Sequence, residues 1–148
     1  MKEKKYQVRL EGIDLISKTM NQFQTSDSDE FNHLIKTQTV GDWKKNSVIV
    51  FVHVTISKKE AQDIKLAELV IGVGFIIGNY KDIMEKDRYG KAAIPDDLDN
   101  QLKSISISTM RGVMFSEFRG TQLHRASLPI VSMDTLDHKM ETPSTKAK

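Results

Sequence analysis

Ser47-Val48-Ile49-Val50-Phe51-Val52-His53-Val54-Thr55-Ile56-Ser57 carries the alternation on which the fold turns. Val48, Val50, Val52, Val54 and Ile56 fall on one face of an extended chain, while Ile49 and Phe51 occupy part of the other; this period of two is what a β-strand imposes. A polar turn, Lys58-Lys59-Glu60-Ala61-Gln62-Asp63, leads into a second run from Ile64 to Ile77. That run sets Ala67, Leu69, Ile71, Val73, Phe75 and Ile77 on one side and Leu66, Glu68, Val70, Gly72, Gly74 and Ile76 on the other. Two long strands joined by a short turn predict an antiparallel hairpin. It is apolar enough on both faces to want cover on both.

Working outward, Tyr6, Val8 and Leu10 alternate with Gln7, Arg9 and Glu11 before the parity slips at Gly12 and resumes with Ile13 and Leu15. This predicts a first strand over Tyr6 to Ser17 with a bulge at the glycine. Thr19 to Glu30 is polar and reads as a crossing loop. A weaker strand is expected over Phe31 to Val40, closed by a turn from Gly41 to Asn46, and a short helical turn over Asp82 to Lys86.

Ile94-Pro95-Asp96-Asp97 has the composition of a helix start, with proline in the first turn and carboxylates at the positive end of the helix dipole. Leu98, Leu102, Ile105, Thr109 and Val113 then form a stripe that Ile107, Met110, Met114 and Phe118 widen. An arc that broad predicts a long helix packed on two sides, ended by Gly120. The chain reads as a single domain over residues 1–141 with a flexible polar tail over 142–148.

A 148-residue chain is long enough to bury roughly 68–70% of its unfolded surface. It contains no cysteine, which excludes a disulfide framework and thiol chemistry. Tyr6-Gln7-Val8-Arg9-Leu10-Glu11 stands where a secretory signal would carry its apolar run. The longest apolar stretch, Leu69 to Ile77, is nine residues with two glycines, against the roughly 20 that a spanning helix needs. A soluble, cytoplasmic protein without membrane insertion is the expectation. Lys and Arg outnumber Asp and Glu by 22 to 20, with the basic clusters at the chain start and at turns. No nucleic-acid partner is implied.

Nothing in the chain calls for catalysis. Gly72-x-Gly74-x-x-x-Gly78 lies inside an alternating strand and lacks the strand-turn-helix setting of a phosphate loop. His33, His53, His124 and His138 have no metal-ligand spacing, so no metal site or cofactor is expected. Ser104, Ser106 and Ser108 lack the glycines of a nucleophile elbow, and Asp96, Asp97 and Asp99 are explained by helix-start electrostatics. The remaining feature is a surplus of apolar surface, which suits oligomerisation, binding of extended segments of other chains, or both.

From Gln7 to Leu136 the order of elements resembles the SecB family of protein-export chaperones. The likeness rests on Gly12-Ile13-Asp14-Leu15 in the first strand, Ala67-Glu68-Leu69-Val70-Ile71-Gly72-Val73-Gly74-Phe75-Ile76 in the fourth, and Ile105 to Leu136, where Leu128-Pro129 leads into a second helix. The resemblance implies an α+β protomer: a four-stranded antiparallel sheet with a long helix and a short C-terminal helix packed on one side. It implies a homotetramer, a dimer of dimers with the long helices between sheets. It also implies an ATP-independent holding function, in which unfolded proteins or preproteins are bound in apolar grooves and passed to the SecA motor. Candidate groove residues are Val50, Val52, Val54, Val70, Gly72, Gly74, Ile76, Leu128, Ile130 and Met133. They span both faces of the hairpin, and the sequence leaves open which face meets the core.

For the motor contact, Asp14, Leu66 and Glu68 match the family's acidic and apolar positions, while Lys18 stands where a second carboxylate is expected. The segment Ser132 to Met140 is short and lacks the family's aromatic residues. These departures also suit a SecB-like chaperone dedicated to one client, such as an antitoxin. The competing reading is an oligomeric interaction or scaffold protein that retains the fold without holding clients.

Overall fold

The computed structural model describes residues 6–22, 29–86, 88–89, 92–126 and 128. Four strands, β1 (Val8–Met20), β2 (Phe31–Asp42), β3 (Ser47–Lys58) and β4 (Ala61–Ile77), form one antiparallel sheet in the order β1-β4-β3-β2. A short helix α1 (Tyr80–Ile83) and a small hairpin of β5 (Glu85–Lys86) and β6 (Ala92–Ala93) lead to the long helix α2 (Asp96–Glu117). The helical turn expected over Asp82 to Lys86 is thus corrected: the helix starts earlier, and Glu85 and Lys86 pair with Ala93 and Ala92. The short C-terminal helix and the polar tail lie outside the described residues.

Register assigns the two faces. Val50 pairs with Val73, Val52 with Ile71 and Val54 with Leu69, so the odd positions of β4 and the even positions of β3 share one face. These side chains, with Val48, Ile56, Phe75 and Ile77, are fully buried under α2, which contributes Leu98, Leu102, Ile107, Met110 and Met114. Ser106 is buried with them, and its hydroxyl donates to the Leu102 carbonyl at 2.7 Å, so it carries no orphaned donor. Among the described residues of the single chain, α2 packs on the sheet by one side, and Ile105 and Phe115 face away from it and are exposed.

Polar ties fix the angle at which α2 crosses. The Tyr6 hydroxyl donates to both carboxylate oxygens of Asp97, at 2.6 and 2.7 Å. Thr39 on β2 donates to Asp99 at 2.6 Å, and Lys103, one turn on, pairs with the same carboxylate at 3.0 Å. At the other end, Lys18 on β1 pairs with Glu117 at 2.9 Å. Gly120, with φ of +77°, adopts the left-handed conformation that turns the chain back after the helix.

Candidate functional site

Among the described residues, the face of the sheet opposite α2 has no second layer. Three irregularities decide which side chains stand on which face. On β1, Leu10 pairs with Phe75 and Gly12 with Gly74, leaving Glu11 as an extra residue; Leu15 pairs with Ile71 and Ser17 with Val70, leaving Ile16 as another. The first is the bulge expected at Gly12 and the second was not legible. Both extra side chains turn to the open face: Glu11 lies against Gly74, and the Ile16 Cδ1 sits 3.2 Å from where a Cβ on Gly72 would be. On β4, Leu66 is the extra residue between the pairs Ile56–Ala67 and Ser57–Lys65, and its side chain joins the core.

The result is an apolar plaque on a glycine floor. Ile16, Phe51 and Ile49 lean over Gly72, their nearest carbons 3.2, 3.5 and 3.7 Å from the position of an added Cβ. Val70 and Ile76 share the face on β4, and Val40, paired with Ile49, continues it onto β2. Ile16 is 52% exposed, Val40 44% and Ile49 37%, values that mark the plaque as open surface. Beside it, three groups converge on one oxygen of Glu68: Lys65 at 3.0 Å, Thr55 at 3.3 Å and His53 at 3.5 Å. The hydrogen bond from Lys65 is the largest cause holding the Glu68 carboxyl below its ordinary range.

The sequence-predicted residues divide accordingly. Val70, Gly72, Gly74 and Ile76 lie together on the open face, and Asp14, paired with Gly72, and Glu68 stand on that same face. Val50, Val52 and Val54 are corrected: they are fully buried between the sheet and α2, so a client cannot reach them without displacing the helix. Leu66 is corrected likewise, because the β4 bulge turns it inward and leaves it 1% exposed. Leu128 is buried, with its carbonyl accepting from the Arg111 Nε at 2.9 Å. Ile130 and Met133 lie outside the described residues. Lys18 pairs with Leu69 on the helix-covered face, so it does not stand beside Asp14 and Glu68. Ile16 and Val40 complete the plaque and were missed; Ile49 and Phe51 showed their alternation but were not assigned a role.

No metal-holding group of His, Cys, Asp or Glu occurs among the described residues, and none of their helices is long and apolar enough to cross a membrane. No family model and no curated protein matches the sequence. Among solved structures, the chain is similar to the Mycobacterium tuberculosis Rv1957 SecB-like chaperone in complex with a ChAD peptide from Rv1956 HigA1 antitoxin. The TM-score is 0.60 at 10% sequence identity, over 84% of this chain and 90% of that one. At that identity the likeness establishes the fold: an α+β protomer with a SecB-like four-stranded antiparallel sheet.

Proposed function

We propose that this protein is a SecB-like holding chaperone that binds extended, apolar segments of client polypeptides, without nucleotide, on the open face of its sheet. The observation that supports this reading is the plaque of Ile16, Ile49, Phe51 and Val70 around Gly72, a flat apolar surface on a chain whose own helix covers only the opposite face. A segment burying about 200 Å² of apolar surface there gains roughly 5 kcal/mol at about 25 cal/mol per Å². The cost of ordering the client takes away much of that gain. One plaque is therefore a weak site, and a homotetramer that repeats it would hold a long client by several such contacts at once. Asp14 and Glu68 flank the plaque, so a motor protein docking on them would compete with the client and promote its release. A client dedicated to this chaperone, such as an antitoxin, is favoured by the solved neighbour, whose complex contains an antitoxin peptide.

The test is suppression of aggregation of a chemically unfolded client, without nucleotide, by the wild type and by the double variant Ile16→Lys, Ile49→Lys. Both positions are surface-exposed, so their replacement changes stability by only about 0.5 kcal/mol each. The wild type is expected to suppress aggregation and the folded variant to lose that effect. Equal suppression by both would place client binding elsewhere on the molecule.

A further inference from the structure

The open face carries opposite charges on its two edges. Register lays its residues in rows across the four strands: Arg9, Ile76, Ser47 and Asp42 make one, and Asp14, Gly72, Phe51 and Gln38 another. The row after that ends on Lys36, the partner of His53. Asp14 on the β1 edge and Lys36 on the β2 edge thus stand one row apart on opposite sides of the plaque, while Arg9 and Asp42 close a single row from opposite edges. Arg9, Asp14 and Lys36 are exposed, and among the described residues none of them has a hydrogen bond or ion pair. One oxygen of Asp42 accepts from the Lys44 and Lys45 amides at 3.0 and 3.2 Å, leaving the other available. We propose that two copies of this chain stack open face on open face, around a two-fold axis parallel to the strands, and that this dimer is a resting form in which the plaque is hidden.

The charges select the axis. Rotation around the strand direction turns one copy over and sets its β1 edge above the β2 edge of the other, with every residue kept in its row. Arg9 then faces Asp42 of the second copy, and Asp14 stands one row, about 7 Å, from Lys36 of the second copy. The length of a lysine side chain and the crossing of twisted sheets at about 30° close that gap. Symmetry makes each contact twice. Like charges do not meet: Lys36 falls over Ser17 of the second copy, and Glu68 over its Thr55. An axis across the strands would instead gather Glu11 and Asp14 of both copies along one edge and both Lys36 side chains along the other, where repulsion opposes association.

Relief and area fit a weak dimer. Side chains lie flat on the glycine floor, Ile16 and Phe51 over Gly72 and Glu11 against Gly74. A surface of that shape meets its copy as the layers of a sandwich meet, about 10 Å apart. Four strands spaced about 4.8 Å apart, along the length from Leu34 to Asp42, offer roughly 500 Å² per copy. A standard stable interface buries about 800 Å² per partner, so this dimer is concentration-dependent and opens readily for a client. The stacking stands apart from client binding; its role as a resting form rests on the holding function proposed above.

The experiment is sedimentation velocity of the full chain over a concentration series reaching the millimolar range. It compares the wild type, Lys36→Glu, Asp14→Lys and an equimolar mixture of the two variants, both changed at exposed positions. The wild type should gain mass with concentration. Each variant alone turns two attractions into two repulsions and should associate roughly tenfold more weakly. In the mixture the charges are again opposite at both contacts, and association should return toward the wild-type value. A wild type of constant mass would overturn the proposal and leave the face to clients, as would variants that associate like the wild type or a mixture no tighter than its components. Adding an unfolded client should reduce wild-type self-association, and client held by an intact dimer would refute the resting form. A client that binds no form at all would count against the holding function, with the stacking still decided by the client-free series.

Discussion

Alanine at Gly41 and alanine at Gly74 should move stability in opposite directions, although both glycines lie in strands of the same sheet and neither has a positive φ. A Cβ on Gly41 would stand 2.7 Å from the Tyr80 hydroxyl and 3.0 Å from the Ala92 Cβ. Neither neighbour yields easily. Tyr80 is 1% exposed, with its ring edge-on to Trp43 at 5.4 Å, and Ala92 is paired in the β5–β6 hairpin. Overpacking of that kind costs about 1–3 kcal/mol, and the gain from restricting the unfolded chain returns about 0.4–1 kcal/mol. Gly41→Ala should therefore lose about 1.3 kcal/mol at the middle of both ranges, within limits of about 0 and 2.6 kcal/mol. At Gly74 the new methyl would meet Glu11 at 3.6 and 3.8 Å and the Gly12 carbonyl at 3.8 Å, all ordinary contacts, so the unfolded-chain effect acts alone. That variant should gain about 0.4–1 kcal/mol. Thermal and urea unfolding resolve the difference, since 1 kcal/mol shifts the Tm of a domain this size by about 2–4 °C. Gly41→Ala more stable than wild type, or Gly74→Ala less stable, would refute the packing argument at that position.

The Tyr80 hydroxyl is buried with no hydrogen-bond partner among the described residues. Tyr80→Phe orphans nothing and is expected to be neutral or to stabilise by up to about 1 kcal/mol; a clear drop in the urea midpoint would show that the hydroxyl has a partner. Lys18→Ala removes a half-exposed ion pair with Glu117 and should cost only about 0.2–1 kcal/mol, less in high salt. Since Lys18 sits on the helix-covered face, aggregation suppression should not change, and its loss would extend the client site beyond the open face.

Much of the architecture is readable because packing and local pattern agree. The alternation from Ser47 to Ser57 sets β3 almost to the residue, and the carboxylates after Pro95 mark the start of α2. The hairpin of β5 and β6 is not readable: two residues per strand are too few to establish a period, and Asp82 to Lys86 carries the polar composition of a helical turn equally well. The helix likewise carries more apolar residues than one interface needs, so its sequence does not separate Met110, which is buried, from Phe115, which is 68% exposed.

The candidate site was hidden for a different physical reason. Strand alternation assigns side chains to two faces only while the partners have equal numbers of residues between their paired positions, and β1 has one residue more than β4 in each of two places. Asp14 and Lys18, four apart, would share a face in a regular strand; the extra Ile16 separates them, sending Asp14 to the open face and Lys18 to Glu117 beneath it. Ile16, of the same parity as Asp14, stays on the open face, its Cδ1 over Gly72 beside Phe51 and Ile49. A bulge is a mismatch between two strands, and β1 and β4 are separated by the whole β2–β3 hairpin in the sequence. Unlike the slip at Gly12, the bulge at Ile16 is recorded by neither strand alone, so the separation of Lys18 from Asp14 is visible only in the register.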